Sequence, residues 1–185
     1  MPKNYVYRMH HDTGFAPHAV HVICSLCGCK TSTIEKWATK GSWIIGIGGN
    51  LTSKPDMLIY MMQVNDILSS PAFKSKYPGM NSYFNEVDPK ASRFLISELF
   101  YYLGNRAINL PNTLTHVIAH CQERKLVSDG DINLLKQLLT SKGFRPGFIG
   151  DPNNPKRPCN KCTTSSLTAR NCIPEVSQCR SKFSC

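Results

Sequence analysis

Apolar positions before residue 110 come in short unbroken runs, whereas those after it recur three and four apart, so strands are expected first and helices later. Tyr5 to Arg8 is a short β-prone run that stops at the polar, turn-rich His10-His11-Asp12-Thr13-Gly14-Phe15-Ala16-Pro17, which predicts a strand leading into a structured loop. Val20 to Leu26 is a second β-prone run. Ser32-Thr33-Ile34-Glu35 has the capping-box pattern and Gly41 supplies a stop, giving a helix of about two turns. Trp43 to Ile47 and Met57 to Val64 are apolar at nearly every position and are separated by Gly48-Gly49-Asn50 and Lys54-Pro55-Asp56. They predict a long-looped hairpin covered on both faces or set in a small closed barrel. Arg93 to Ser97 adds a strand, with the aromatic cluster Phe100-Tyr101-Tyr102-Leu103 just beyond it.

Leu114, Val117, Ile118 and Cys121 form one stripe at helical spacing, and Ile132, Leu135, Leu138 and Leu139 a second. Ser128 and Asp131 repeat the capping-box spacing before the second helix, and Gly143 is placed to end it. The fold expected is α+β: a small twisted or closed β-structure with two amphipathic helices packed on it. After Gly150 the chain is too rich in proline to continue either element, so the folded body is expected at 1–152 and a basic, cysteine-rich, flexible tail at 153–185.

Composition then narrows the partners. At 185 residues, with 41% hydrophobic and 18% charged positions, the chain has the makings of one globular domain. Its formal charge of +10 favours polyanions such as DNA or RNA. From Asp151 onward, Lys156, Arg157, Lys161, Arg170, Arg180 and Lys182 face only Asp151 and Glu175, so the tail carries +4 of that charge. No apolar stretch approaches the roughly 20 residues needed to span a bilayer, and the N-terminus lacks the apolar core of a secretory signal. These features predict no membrane partner and an intracellular place, in cytoplasm or nucleus. In a reducing compartment the nine cysteines read as metal ligands, reactive thiols or buried small hydrophobes.

The His10–Pro17 loop concentrates two imidazoles, a carboxylate, a hydroxyl and an aromatic ring beside a glycine. His11 and Asp12 can orient or deprotonate a ligand, and Phe15 can stack on a base. Equally, Asp12 can cap backbone amides while Phe15 fills the core. Cys24-Ser25-Leu26-Cys27-Gly28-Cys29-Lys30 supplies candidate nucleophiles in Cys24 and Cys29, with Lys30 nearby to favour a thiolate. Zinc is a possible cofactor: Cys24 and Cys27 have the spacing repeated at Cys159 and Cys162, and the tail alone offers Cys159, Cys162, Cys172 and Cys179, although its spacings match no finger class and a plain flexible tail competes. His116 and His120, four apart, read as surface histidines because they point away from the apolar stripe. Gly46-Ile47-Gly48-Gly49 is followed by Pro55 and a strand, not a helix, which excludes a phosphate-binding loop.

Together, His11-Asp12-Thr13-Gly14-Phe15-Ala16-Pro17, Cys24 to Lys30, Gly41-Ser42-Trp43-Ile44-Ile45-Gly46, Leu58 to Val64, Leu95-Ile96-Ser97 through Tyr102 and Gly104, and Gly147-Phe148-Ile149-Gly150-Asp151-Pro152 resemble the second nucleotide-modification-associated domain family. The chain differs from the family pattern at His18, Ser42 and the extra Cys27. The resemblance covers Tyr5 to Pro152 and implicates Asp12, Gly14, Phe15, Cys29, Lys30, Trp43 and Ser97 in the site. It implies a link to DNA base modification and leaves enzymatic activity open. The Gly-Ser-Trp-Ile-Ile-Gly strand and its partner are also similar, more loosely, to the core hairpin of PUA-like base-reading barrels. The function expected is binding of a modified or flipped base or nucleotide, with Phe15, Trp43 or Tyr101 stacking and Asp12 or Ser97 reading an edge. The alternatives are an enzyme using Asp12, His11 and a cysteine nucleophile, and a basic cysteine-rich adaptor that recruits proteins.

Overall fold

The computed structural model describes residues 2–14, 17–20, 22–26, 34–80, 93–118 and 124–154. The chain forms β1 (Asn4–Met9), β2 (His18–Val20), β3 (Ile23–Leu26), a single-turn α1 (Ile34–Trp37), β4 (Trp43–Gly48), β5 (Met57–Gln63), β6 (Asp66–Leu68), α2 (Ser70–Lys76), β7 (Phe94–Ser97), β8 (Leu99–Tyr102), β9 (Ile108–Asn109), β10 (Lys125–Val127), α3 (Asp129–Ser141) and β11 (Gly147–Phe148). One sheet of seven strands runs β10-β1-β4-β5-β8-β11, with β9 also on β5, and a second of four strands runs β2-β3-β7-β6. The pairs β1/β4 and β8/β11 are parallel and the others antiparallel.

The unbroken apolar runs follow from layering, because a strand covered on both faces has no polar side to present. On β4 and β5, Ile44, Tyr60 and Met62 face the small sheet, where Ala19, Cys24, Leu26 and Leu95 meet them. Trp43, Ile45, Ile47 and Met61 face the other way, onto Ile132, Leu135 and Leu139 of α3. The far side of the small sheet packs Phe94 and Ile96 against Phe73 of α2, whose ring stacks on Phe94 at 4.7 Å. The order of layers is therefore α3, large sheet, small sheet, α2. No helix among the described residues is long and apolar enough to cross a membrane.

The capping box before α3 is present in full: the Ser128 hydroxyl accepts from the Asp131 amide, and the Asp131 carboxylate accepts from the Ser128 amide. Local geometry departs from expectation in three places. Val20 to Leu26 is not one strand: it holds the end of β2 and all of β3, which pair antiparallel, with the exposed Val22 between them. The helix expected through Leu114 and Val117 is a 3-10 helix, Asn112–Val117; both residues are buried, since a three-residue spacing holds one face at either pitch. Cys121 lies outside the described residues. The second main α-helix is α2, which begins at the N-cap Ser69 with Pro71 in its first turn.

Candidate functional site

Asp12 leaves the end of β1 and turns inward, where only 1% of its surface is exposed. A buried carboxylate must find donors, and this one has three. Its Oδ1 accepts from the Tyr102 hydroxyl, and its Oδ2 accepts from the backbone N–H of Asn153 at 2.9 Å and from Asn153 Nδ2 at 2.7 Å. The main chain closes the same clamp: the Asn154 N–H donates to the Asp12 carbonyl at 2.8 Å, and the Asp12 N–H to Asn154 Oδ1 at 3.2 Å.

Residues 147–154 form a strap that reaches Asp12 because β11 pairs with β8 beside Tyr102. Ile149 and Gly150 donate their amides to the Tyr102 carbonyl, and Asn105 donates to the Asp151 carbonyl. Phe148 stacks on Tyr102 at 5.4 Å. Two glycines permit the approach. A Cβ on Gly14 would stand 2.6 Å from Cγ of Pro152, and one on Gly104 would strike the Asp151 carbonyl; both sit at positive φ, +74° and +50°. The hydrogen bonds of the body thus continue two residues past the boundary expected at 152.

Beside the clamp lies a buried polar seam between the sheets. The Tyr7 and Tyr60 hydroxyls are 2.8 Å apart, and the Cys24 thiol points to the Met62 sulfur at 3.8 Å. Burial pushes the Cys24 thiol well above its ordinary 9.0, and burial followed by the Asp12 charge pushes the Tyr102 hydroxyl well above its ordinary 10.0. Both groups favour the folded state while neutral. Their contribution is present below those ordinary values and is lost as pH rises above them. The unfolding free energy from urea titrations is therefore expected to fall from about pH 9 upward, by up to about 1.4 kcal/mol per pH unit for each group. In Cys24→Ala the decline should begin nearer pH 10, and a profile unchanged to pH 11 in the wild type would contradict the sealed seam.

The expected site residues separate into two groups. Asp12 and Gly14 share the clamp; Ser97 is the register partner of Cys24 and donates to the Leu99 carbonyl at 2.7 Å, so these two lie on the same side of the small sheet. Trp43 and Tyr101 lie on the opposite face of the large sheet, both buried against the α3 side. Trp43 donates its amide to Asn4 Oδ1 at 2.9 Å and has Lys136 Nζ 4.4 Å from its ring centre. Neither ring is free to stack on a base at the Asp12 loop. Cys24 is likewise a poor nucleophile where it stands, sealed from solvent with its thiol held protonated. His10 and His11 are exposed on the loop, their rings 6.4 Å apart, and His18 Nδ1 is 2.9 Å from the Gly14 carbonyl.

Phe15, Cys27, Cys29, Lys30, His120, Cys159, Cys162, Cys172 and Cys179 lie outside the described residues. Among those described, no group of three His, Cys, Asp or Glu is arranged to hold a metal ion. His116 is exposed and pairs with Asp131 at 2.9 Å. Sequence reasoning missed Tyr7, Tyr60, Tyr102 and Asn153; the signal available was a run of aromatics in otherwise apolar strands and the Asn153-Asn154 pair after a proline.

Fold and site define a two-sheet α+β domain whose first loop is tied to the strap of residues 147–154. The chain belongs to the family described as nucleotide modification associated domain 2, whose profile matches residues 1–86 and 71–158, which bears out the resemblance carried by the loop and hairpin motifs. Two crystal structures of the ASCH protein from Zymomonas mobilis are similar. The first has 9% identity over 80% of this chain and 99% of that one, with a TM-score of 0.40. The second, a serine-to-alanine mutant, has 12% identity over 75% and 99%, with a TM-score of 0.39. No curated protein matches the sequence.

Proposed function

We propose that this domain binds nucleic acid, accommodating a modified or flipped base or nucleotide at the His10–His18 loop. The observation that carries this reading is the commitment of Asp12. Both of its oxygens are taken by groups of the fold, so the carboxylate shapes the loop, while His10 and His11 on that loop face solvent. A general base needs an oxygen within reach of the substrate proton, and a nucleophilic thiol needs exposure and a thiolate. Asp12 and Cys24 meet neither condition, which favours a binding role over the enzyme that would use them. Family membership supplies the link to nucleotide modification, and the +10 charge supplies the attraction to phosphate.

Competition between oligonucleotides with modified and plain bases tests the reading. The full chain is expected to prefer a modified base without turning it over. His11→Ala should lose that preference at unchanged thermal stability, because the ring is exposed. Turnover of a modified nucleotide that disappears in Asp12→Asn would establish the enzyme instead. Binding and preference that survive removal of 155–185 would count against the adaptor reading; that truncation point spares Asn153 and Asn154 of the clamp.

A further inference from the structure

Trp37 closes the single turn of α1 with its indole 47% exposed, and the backbone beneath it is held from three sides. The Tyr5 hydroxyl donates to the Trp37 carbonyl at 3.3 Å. The guanidinium of Arg93 donates to the carbonyls of Lys36 and Ala38, at 3.2 Å and 3.3 Å. The Arg124 guanidinium lies 4.6 Å from the indole centre, and Lys36 Nζ lies 5.5 Å away. Leu126, two residues beyond Arg124 on β10 and exposed, is the register partner of Tyr5 and so lies on the same side of the sheet.

A lone exposed indole would mean little, since single surface hydrophobics are common. Here the ring stands on a fixed backbone with two cations over it, Lys36 and Arg124, and among the described residues neither is paired with a carboxylate. A half-exposed indole with cations over it has the chemistry of a stacking platform: the exposed part of the ring and the stacked guanidinium take a base of any identity while the charges take the phosphates on either side. It lies apart from the Asp12 clamp, at the β10 edge of the large sheet instead of its β11 edge.

We propose that Trp37, with Lys36 and Arg124, is a second nucleic-acid contact, stacking an unpaired base of a single-stranded segment, while Arg93 holds the backbone beneath it. The proposal rests on the nucleic-acid reading above and names where strand, as distinct from a modified base, is held. The test is titration of the full chain with ten-residue oligo-dT and oligo-rU, followed by tryptophan emission. Trp43 is buried, so Trp37 is the reporter.

Emission should be quenched on binding, and iodide should lose access to the indole in the complex. Trp37→Ala should weaken binding about tenfold with an unchanged thermal midpoint. Arg124→Gln should flatten the salt dependence by about one phosphate. Binding of the RNA strand alone would identify RNA as the source of the stacked base, and comparable binding of both would assign the contact to stacking and phosphate. If the wild type binds and Trp37→Ala binds as tightly, the platform is overturned while the wider reading stands. If the wild type binds neither oligonucleotide, both fall. Should Trp37→Ala fail to fold, iodide access decides: an indole equally accessible free and bound overturns the platform.

Discussion

Asp12→Ala is expected to lower folding stability by about 3–5 kcal/mol, because it orphans the buried Tyr102 hydroxyl and two half-buried donors of Asn153. The Tyr102 hydroxyl and the two Asn153 groups donate to that carboxylate; a buried donor left unpaired costs about 1–3 kcal/mol, the half-buried Asn153 groups fall toward the lower end, and the terms add incompletely. For a chain of this size that is a fall of roughly 10 °C in the thermal midpoint. Asp12→Asn should cost far less. Its amide oxygen can still accept from Asn153, and the Tyr102 hydroxyl can reverse to accept from its amide nitrogen. Urea or thermal denaturation of the two variants measures the difference, and amide exchange at Ile149, Gly150 and Asn154 reports whether the strap has come loose. Equal stability of Asp12→Ala and wild type would mean that the clamp does not hold the loop.

The hairpin of β4 and β5 was legible because both its faces are covered, which leaves an apolar run that no half-exposed strand would show. The α3 helix was legible for the opposite reason: Ile132, Leu135 and Leu139 mark a single buried stripe, and the Ser128–Asp131 box marks its start. What stayed hidden depends on pairing. Lys125-Leu126-Val127 is too short and too exposed to read as a strand until β1 lies beside it. Leu114 and Val117 fixed which side of their segment is buried, but the amphipathic α-helix expected from them is a 3-10 helix, which the same three-residue spacing suits. α2 presents a single fully buried residue, Phe73, so it had no stripe to detect, and it was not among the elements expected.

The site divides along the same line. Asp12 and Gly14 stand out locally because a loop rich in polar groups beside a glycine is unusual. Their role, however, is set by Tyr102 and Asn153, 90 and 141 residues further along the chain. No local pattern records such a meeting. Trp43 and Tyr101 illustrate the converse, since their residue types suit base stacking while the alternation of β4 and β8 sends both to the α3 side.

Affinity for nucleic acid should fall steeply with salt. With about four phosphates contacted, log K against log[salt] has a slope near −3 to −4, and raising salt from about 50 to about 200 mM should cost roughly a hundredfold. Removing residues 155–185 takes away six of the 22 Lys and Arg, and should flatten the slope while leaving any preference for a modified base, because phosphate contacts position and base contacts specify. His11→Ala should do the reverse, reducing preference with little change in slope. The decisive measurement is equilibrium binding of the full chain to modified and plain DNA and RNA from low to moderate salt. The account predicts binding at low salt, a slope near −3 to −4 and a preference for a modified base; failure to bind any of these nucleic acids at low salt would contradict it.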